Sequence, residues 1–212
     1  MKITVNAFLS LDGVMQAPGG RGEDPSGGFE RGGWVIPYTT DDDFGQIVSG
    51  WFEEADAFLL GRRTFEIFRA YWPRVTDPDD RVARDLNAKP KFVVSRTLTD
   101  STAGWADTTV IDSLGGVARL KGQLTGELQV HGSRALAHAL HDAGLVDEYR
   151  LIVFPTVVGD GKRLFEHPSR PSGFTVVEAV STASGATGLT LRPEGFRLGD
   201  VEVSEGRDTA VL

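Results

Sequence analysis

The chain has 212 residues, which suits one large domain or two small ones. Its formal net charge of −8 argues against nucleic acid as the main partner, and the absence of cysteine excludes disulfides, thiolate metal sites and cysteine nucleophiles. No stretch approaches the ~20 apolar residues needed to span a bilayer, and the N-terminus resembles a strand more than a signal peptide. We therefore expect a soluble, cytoplasmic globular protein without a metal site.

The first predicted strand covers residues 2–9 and leads into a turn at Asp12 and Gly13. A glycine-rich loop follows over residues 16–33, and loops of this length in compact domains are often functional. Three aromatic residues lie inside this loop or at its end: Phe29, Trp34 and Tyr38. These side chains either close over a ligand or anchor the loop to the surface, and the sequence favours neither interpretation.

The first helix is predicted to begin near Asp41. Apolar residues recur from there at helical spacing and form one face: Phe44, Ile47, Val48, Trp51, Phe52 and Ala55. Thr40 or Asp41 can cap this helix, and the acidic residues that follow suit the positive end of its dipole. The apolar run over residues 57–60 then predicts a strand that is buried on both faces.

Gly61, Arg62, Arg63 and Thr64 follow this strand at the point where the second helix should begin. In an open α/β sheet, ligands bind outside the carboxyl ends of the strands. A helix N-terminus there offers unpaired N–H groups and a partial positive charge, and two guanidinium groups beside it suit phosphate. We therefore predict that this segment binds a phosphorylated cofactor. The alternative is a solvated arginine pair at a helix start.

Two later strands end in similar polar segments. One strand ends in Ser95 and Arg96, and another runs into Gly132, Ser133 and Arg134, where a further helix begins. Glycine at such a junction permits a close approach of the backbone, and Ser133 can either cap the helix or bind a phosphate. The sequence thus predicts polar or cationic groups at three strand ends.

Strands and helices alternate along the chain up to a final hairpin, predicted over residues 174–182 and 187–192. This order predicts a three-layer α/β/α sandwich whose sheet is mostly parallel, with the antiparallel hairpin at its C-terminal end. We expect one domain over residues 1–195 and an acidic, loosely held tail over residues 196–212.

Six segments carry a resemblance to a known family: residues 60–66, 93–96, 131–134, 10–13, 144–149 and 159–165. The first three resemble the cofactor-phosphate motif, the serine-bearing strand end and the glycine pair of dihydrofolate reductases. The other three are similar to the reductase domain of riboflavin biosynthesis, which shares that fold. Together they span most of residues 2–192, and the chain resembles a stand-alone reductase of the dihydrofolate reductase-like, riboflavin-reductase type.

The resemblance implies a dihydrofolate reductase-like fold, NADPH as the cofactor, and hydride transfer to a C=N or C=O group of a small heterocycle. The substrate would be like a phosphorylated 5-amino-6-ribosylaminouracil or a pterin. Arg62, Arg63 and Arg96 supply the positive charge that a 2′-phosphate requires, whereas an acidic residue would suit a free 2′-hydroxyl. Further cofactor contacts are implied for Gly61, Thr64, Ser95, Gly132, Ser133 and Arg134.

Two carboxylates are candidates for a catalytic role. Four residues match the segment that contacts the nicotinamide in this family: Ala7, Asp12, Gly13 and Val14. The first candidate, Asp12, is either a turn former or a polar group near the substrate. Dihydrofolate reductases also carry a carboxylate on the first helix; their spacing falls here on Gly45, and Asp43 lies two residues away.

Three hypotheses follow. The leading one is an NADPH-dependent reductase of a small-molecule substrate, working as a homodimer. The imperfect match at Asp43 motivates the second, a non-catalytic module that binds a nucleotide or a pterin-like ligand on the same fold. The third is a structural, dimer-forming protein.

Overall fold

The computed structural model describes residues 1–166, 168–204 and 207–211, and these contain ten strands and six α-helices. The strands are β1 (Lys2–Ser10), β2 (Ala57–Gly61), β3 (Lys91–Val94), β4 (Thr108–Ile111), β5 (Glu127–His131), β6 (Glu148–Phe154), β7 (Ser172–Ser181), β8 (Thr187–Gly195), β9 (Asp200–Ser204) and β10 (Arg207–Val211). The helices are α1 (Asp42–Glu54), α2 (Arg62–Tyr71), α3 (Arg81–Ala88), α4 (Asp100–Ala103), α5 (Leu114–Gln123) and α6 (Arg134–Asp142). Each of these helices is too short or too polar to cross a membrane.

Eight strands form one sheet in the order β4–β3–β2–β5–β1–β6–β8–β7. The first six are parallel to one another, whereas β8 is antiparallel to both β6 and β7. The predicted fold class, a mostly parallel sheet with an antiparallel C-terminal hairpin, is confirmed.

Helices cover both faces of the sheet because its central strands are apolar on both sides. On one face, Val130 of β5 packs in a cluster with Leu140 of α6. On the other face, Phe58 of β2 packs with Phe52 of α1 and Leu86 of α3. Burial of each such side chain stabilises the fold by about 1.5–3 kcal/mol. The three-layer arrangement therefore forms because both faces of the sheet are apolar and each must be covered by helices.

Local signals in the sequence mark several helix ends correctly. The Asp41 carboxylate accepts a hydrogen bond from the Phe44 amide at 2.9 Å and so caps α1. Gly144 adopts a φ of +65° after α6, and the Leu145 amide donates to the Leu140 carbonyl at 2.9 Å. The four-residue helix α4 was not predicted, because one turn of helix has too short a pattern to detect.

The C-terminal residues differ from the expected loose tail. Strands β9 and β10 pair with each other in a separate antiparallel sheet. Val201 and Val203 alternate with acidic residues, which is the two-residue period of a strand, and both side chains are exposed. The boundary between a domain and a tail near residue 195 stays a prediction.

Three charged side chains, those of Arg150, Glu127 and Glu148, are buried beside α1. Arg150 of β6 contacts both oxygens of Glu127 at 2.9 Å, Glu148 at 3.1 Å and Glu54 of α1 at 2.6 Å. Lys2 contacts Glu148 at 2.7 Å. Burial alone would lower the pKa of Arg150, but the surrounding carboxylates raise it. The three buried charges therefore depend on one another, because removal of any one of them would leave another buried without its partner.

Replacing Arg150 by Met should lower the free energy of unfolding by about 3–5 kcal/mol, because Glu127 and Glu148 would stay buried without their partner. The measurement is urea denaturation at neutral pH. Arg192→Met is the matched control: its side chain is 63% exposed and lies 4.0 Å from Glu148, so its loss should cost less than about 1 kcal/mol. Equal losses in the two variants would contradict the inference of a buried, interdependent group.

Candidate functional site

Strands β3, β2, β5 and β1 stand side by side and are parallel, so their carboxyl ends lie at one edge of the sheet. A cavity of about 380 Å³ lies at the ends of β2 and β5 and beside residues 6–8 of β1. Eight of the predicted cofactor residues line it: Ala7, Gly61, Arg62, Arg63, Thr64, Gly132, Ser133 and Arg134. We call it the phosphate-side cavity.

Two strand–helix junctions are joined to each other at this cavity. The Ser133 hydroxyl accepts a hydrogen bond from the Gly61 amide at 2.8 Å, and the Ser133 amide donates to the Thr64 hydroxyl at 3.1 Å. Gly132 and Ser133 adopt φ values of +59° and +57°, a conformation that glycine takes readily and serine takes only at a cost. Ser133 therefore links α6 to β2, and its side chain does not cap its own helix.

The first turns of α2 and α6 both face this cavity without a side-chain cap. Arg62 donates to Glu66 at 2.8 Å and to the Thr97 hydroxyl at 2.6 Å. Arg134 donates to Glu166 at 2.6 Å, and its Nε is buried and has no hydrogen-bond partner within the described residues. Uncapped amides, two positive helix ends and guanidinium groups form a site suited to an anion.

Ser95 and Arg96 lie beside this cavity, in a neighbouring open cavity next to β4 and α5. The Ser95 hydroxyl accepts hydrogen bonds from the amides of Thr97 and Leu98 at 3.2 and 3.0 Å. Arg62, which lines the phosphate-side cavity, contacts Thr97, the residue that follows Arg96. The end of β3 is therefore next to the start of α2, as the sequence predicts, but it forms a separate compartment.

Arg63 has a partner that the sequence did not predict. Its guanidinium donates to the Asp24 carboxylate at 2.8 Å, and Lys162 contacts the other oxygen of Asp24 at 2.7 Å. Burial raises the pKa of Asp24, but the hydrogen bonds from Lys162, Ser26 and Arg63 outweigh it and lower that pKa to about 2. The ion pair fastens the glycine-rich loop to α2, so Arg63 does not present a free cation.

The same loop is held by its aromatic side chains. The Trp34 indole donates to the Gln16 carbonyl at 2.9 Å, and the Tyr38 hydroxyl donates to the Pro155 carbonyl at 3.3 Å. Phe29 is buried and packs against Val14. In this structure these side chains anchor the loop, which is one of the two interpretations that the sequence allowed.

Asp12, Gly13 and Val14 lie outside the phosphate-side cavity, and Ala7 is the residue of their predicted group that lines it. The Asp12 carboxylate accepts hydrogen bonds from the Ser10 hydroxyl at 2.6 Å and from two backbone amides after β6. The Ser10 hydroxyl and these amides hold the pKa of Asp12 far below its usual range. The geometry favours the turn-forming interpretation of Asp12.

Asp43 does not line the cavity either. Its carboxylate accepts a hydrogen bond from the Ala183 amide at 2.9 Å, in the turn between β7 and β8. The apolar face of α1 points toward the sheet, which leaves Asp43 on the outer flank of the helix. A catalytic role for Asp43 has no support in this geometry.

Asn6 and His131 are pocket residues that the sequence analysis missed. They are neighbours in the register of β1 and β5 and both line the phosphate-side cavity. The Thr4 hydroxyl donates to Asn6 Oδ1 at 2.9 Å, and the buried Asn6 Nδ2 has no partner within the described residues. The signal was present: polar Thr4 and Asn6 alternate in a strand that is buried on both faces.

His131 is held in one neutral form. Gln129 directs its Nε2 to two acceptors, the Trp51 carbonyl and Glu127, so its Oε1 faces His131 Nε2 at 2.8 Å. This network assigns the proton of the imidazole to Nε2 and leaves Nδ1 as an acceptor. Burial, together with the charge of Arg150, lowers the pKa of His131 to about 3.

Comparison with known proteins identifies the family. The family model described as the RibD C-terminal domain matches residues 1–191. The chain belongs to the RibD C-terminal domain family. The family match supports a reductase-type fold. It confirms the resemblance to the riboflavin-reductase type that the sequence showed. Among curated proteins, an uncharacterized protein of Bacillus subtilis, YyaP, is 26% identical over 198 residues, which are 92% of this chain and 96% of YyaP.

Solved structures share the fold of this RibD C-terminal domain. A putative riboflavin biosynthesis protein from Shewanella sp. PV-4 matches with a TM-score of 0.67 and 21% identity, over 92% of this chain and 99% of that one. A dihydrofolate reductase from Enterococcus faecalis, complexed with NADP(H), matches with a TM-score of 0.58 and 12% identity, over 91% and 96%. At these identities the likeness establishes the fold alone.

His131 should stay neutral across the physiological range. The ring signals of His131 in an NMR titration should not shift between about pH 4.5 and about pH 8, because its pKa lies near 3. His131→Gln identifies the signal by its disappearance. A midpoint near the ordinary value of 6.5 would contradict the assigned hydrogen-bond network.

Proposed function

We propose that this protein is an NADPH-dependent reductase that delivers a hydride to a C=N or C=O group of a small heterocyclic substrate. The observation that carries the proposal is the joined pair of helix starts. Hydrogen bonds between Ser133, Gly61 and Thr64 hold two uncapped N-termini at one cavity. A dinucleotide presents a pyrophosphate, and paired N-termini suit its two anionic groups.

The residues present fit such a cofactor. Amides of the first turns of α2 and α6 would hold the pyrophosphate, and the unpaired Arg134 Nε offers a further donor. Arg62, with Ser95 and Arg96 beside it, would hold the 2′-phosphate that distinguishes NADPH from NADH. Ala7 would contact the nicotinamide end. NADPH, when bound, supplies the hydride, and the protein supplies position and shielding from water.

The substrate end of the site is defined by the chain's own groups. Asn6 offers a buried donor, and neutral His131 offers an acceptor. His131 does not act as the acid at neutral pH, because its pKa of about 3 leaves no proton on Nδ1 to give. A pterin-like molecule or a phosphorylated aminouracil, the classes that the family suggests, would place a polar ring edge at these groups.

A second candidate is a non-catalytic module that binds a nucleotide or a pterin on the same fold. The observation that favours it is the hydrogen bond between Asp43 and Ala183, which keeps the expected carboxylate out of the site.

Titration of the purified protein with NADPH, followed by cofactor fluorescence, tests both candidates. Absence of binding at high micromolar NADPH would contradict the reductase, and binding of a pterin alone would then favour the module. Binding without NADPH oxidation, across a panel of pterins and pyrimidines, would favour the module.

Replacing Arg62 by Ala should weaken NADPH binding about tenfold more than NADH binding, because only NADPH carries the 2′-phosphate. The dissociation constants are measured by fluorescence titration of both cofactors. Arg84→Ala, at an exposed arginine of α3 that lines none of the described cavities, is the charge-matched control and should leave both constants unchanged. An equal loss of affinity for NADPH and NADH would contradict the assignment of Arg62 to the 2′-phosphate.

We also propose that the protein is a homodimer. Five exposed valines lie on the edge strand β7 and on β9: Val176, Val177, Val180, Val201 and Val203. Exposed apolar edge strands commonly pair with another chain.

Light scattering of the purified protein should give a mass of twice 22.9 kDa. Val180→Asp should convert the protein to a monomer, while Val157→Asp, outside these strands, should not; a monomeric parent protein would refute the proposal.

A further inference from the structure

A second, larger cavity of about 920 Å³ adjoins the phosphate-side cavity. The two share part of their walls, including Phe8, Ile67, Phe68 and His131. We call it the apolar cavity. A ligand there would lie directly beside one in the phosphate-side cavity, so the apolar cavity is where the substrate of the proposed reductase would extend.

The walls of this cavity are mainly hydrocarbon. Three helices contribute nine apolar residues: Phe44, Val48 and Phe52 from α1, Ile67, Phe68, Ala70 and Tyr71 from α2, and Val82 and Leu86 from α3. Val35 and Ile36 close it from the anchored loop. Such walls favour a ligand body without charge, because an ion moved against them would lose its hydration without replacement.

Charged side chains line the cavity at four positions, and three of them are already engaged. The Glu23 carboxylate accepts hydrogen bonds from the amides of Gly19 and Gly20. Arg63 is paired with Asp24, and Glu66 is paired with Arg62. The fourth, Arg74, is exposed. Within the described residues, the inner wall therefore offers no unpaired cation for a phosphate.

Two polar groups lie where the apolar cavity meets the phosphate-side cavity: His131 lines both cavities, and Asn6 lines the phosphate-side cavity next to it. Asn6 Nδ2 is a buried donor without a partner, and the assigned tautomer of its register neighbour His131 makes Nδ1 an acceptor. Adjacent donor and acceptor groups match an uncharged ring edge that carries a carbonyl beside an N–H. The rest of the ligand would meet mainly apolar walls.

From this charge distribution, we infer that the substrate is an uncharged, flat heterocycle with an apolar, preferably aromatic, substituent, and that a phosphorylated substrate is disfavoured. The inference rests on the proposed reductase function. It goes further because it selects between the two substrate classes that the family suggests.

The test compares two fluorescent probes on the full chain with and without NADPH. 6-Phenylpterin is uncharged and has an apolar arm, and the phosphate ester of 6-hydroxymethylpterin has the same ring with an anionic arm. We expect 6-phenylpterin to bind at least about tenfold more tightly, since the phosphate would be desolvated without a counter-charge. Tighter binding of the phosphate ester, or binding of neither probe, would overturn the inference.

Ile36→Lys gives a second measure. Ile36 lines the apolar cavity and is 52% exposed, so a lysine there introduces a cation without burying it fully. The variant should reduce the preference for 6-phenylpterin about tenfold by strengthening the phosphate ester. Val157→Lys adds the same charge at a 67% exposed position outside the cavity and should leave the preference unchanged. Equal effects of the two lysines would overturn the inference.

The experiments distinguish failure of the proposed reductase function from failure of the inferred substrate class. If NADPH does not bind but 6-phenylpterin is preferred, the proposed reductase function is wrong and the specificity of the apolar cavity stands. If NADPH binds and the phosphate ester is preferred, the reductase function stands and the inferred substrate class is wrong.

Discussion

The hydrogen bond from the Gly61 amide to the Ser133 hydroxyl is the contact on which the candidate site depends. It joins two junctions that are 72 residues apart in the sequence and brings the starts of α2 and α6 to one cavity. Neither helix start alone would distinguish a binding site from an ordinary helix end. Joined, they direct two sets of unpaired amides and two partial positive charges at the same volume.

The part of β5 that ends at the cavity carries a buried polar row. Glu127, Gln129 and His131 lie at alternate positions of β5, so their side chains share one face of the sheet. Arg150 holds the carboxylate, the carboxylate orients the amide, and the amide fixes the imidazole tautomer. An apolar row would fold as well, but it would not define which atom of His131 faces the cavity.

The parts of the structure that could be predicted are those with local causes. Asp41 caps α1 and Gly61 opens α2 because capping and turn chemistry act within a few residues. The parallel sheet then implies that polar strand ends meet at one edge. The pairing of Arg63 with Asp24 could not be predicted, because the two residues are 39 positions apart and Asp24 lies in a loop. The position of Asp43 outside the cavity could not be predicted either, because it depends on the rotation of α1 against the sheet, which spacing alone does not set.

Asn6 and His131 are cavity residues that the sequence could not single out, for a similar reason. Each is a polar residue in a buried strand, but their meeting depends on the register between β1 and β5, which lie far apart in the chain. Register is a property of the assembled sheet. A sequence can therefore mark a buried polar position without showing which neighbour completes it.

The fastening of the glycine-rich loop has a consequence for the solution conditions under which the protein works. Arg63 is 56% exposed where it meets Asp24, and Lys162 is 31% exposed, so mobile ions reach both contacts. At the floor of the cavity, beneath His131, the hydrogen bonds of Gln129 with Glu127 and His131 join buried groups, which ions do not reach. Rising ionic strength will therefore loosen the rim while the floor keeps its shape, and the entrance to the cavity becomes more yielding than its interior.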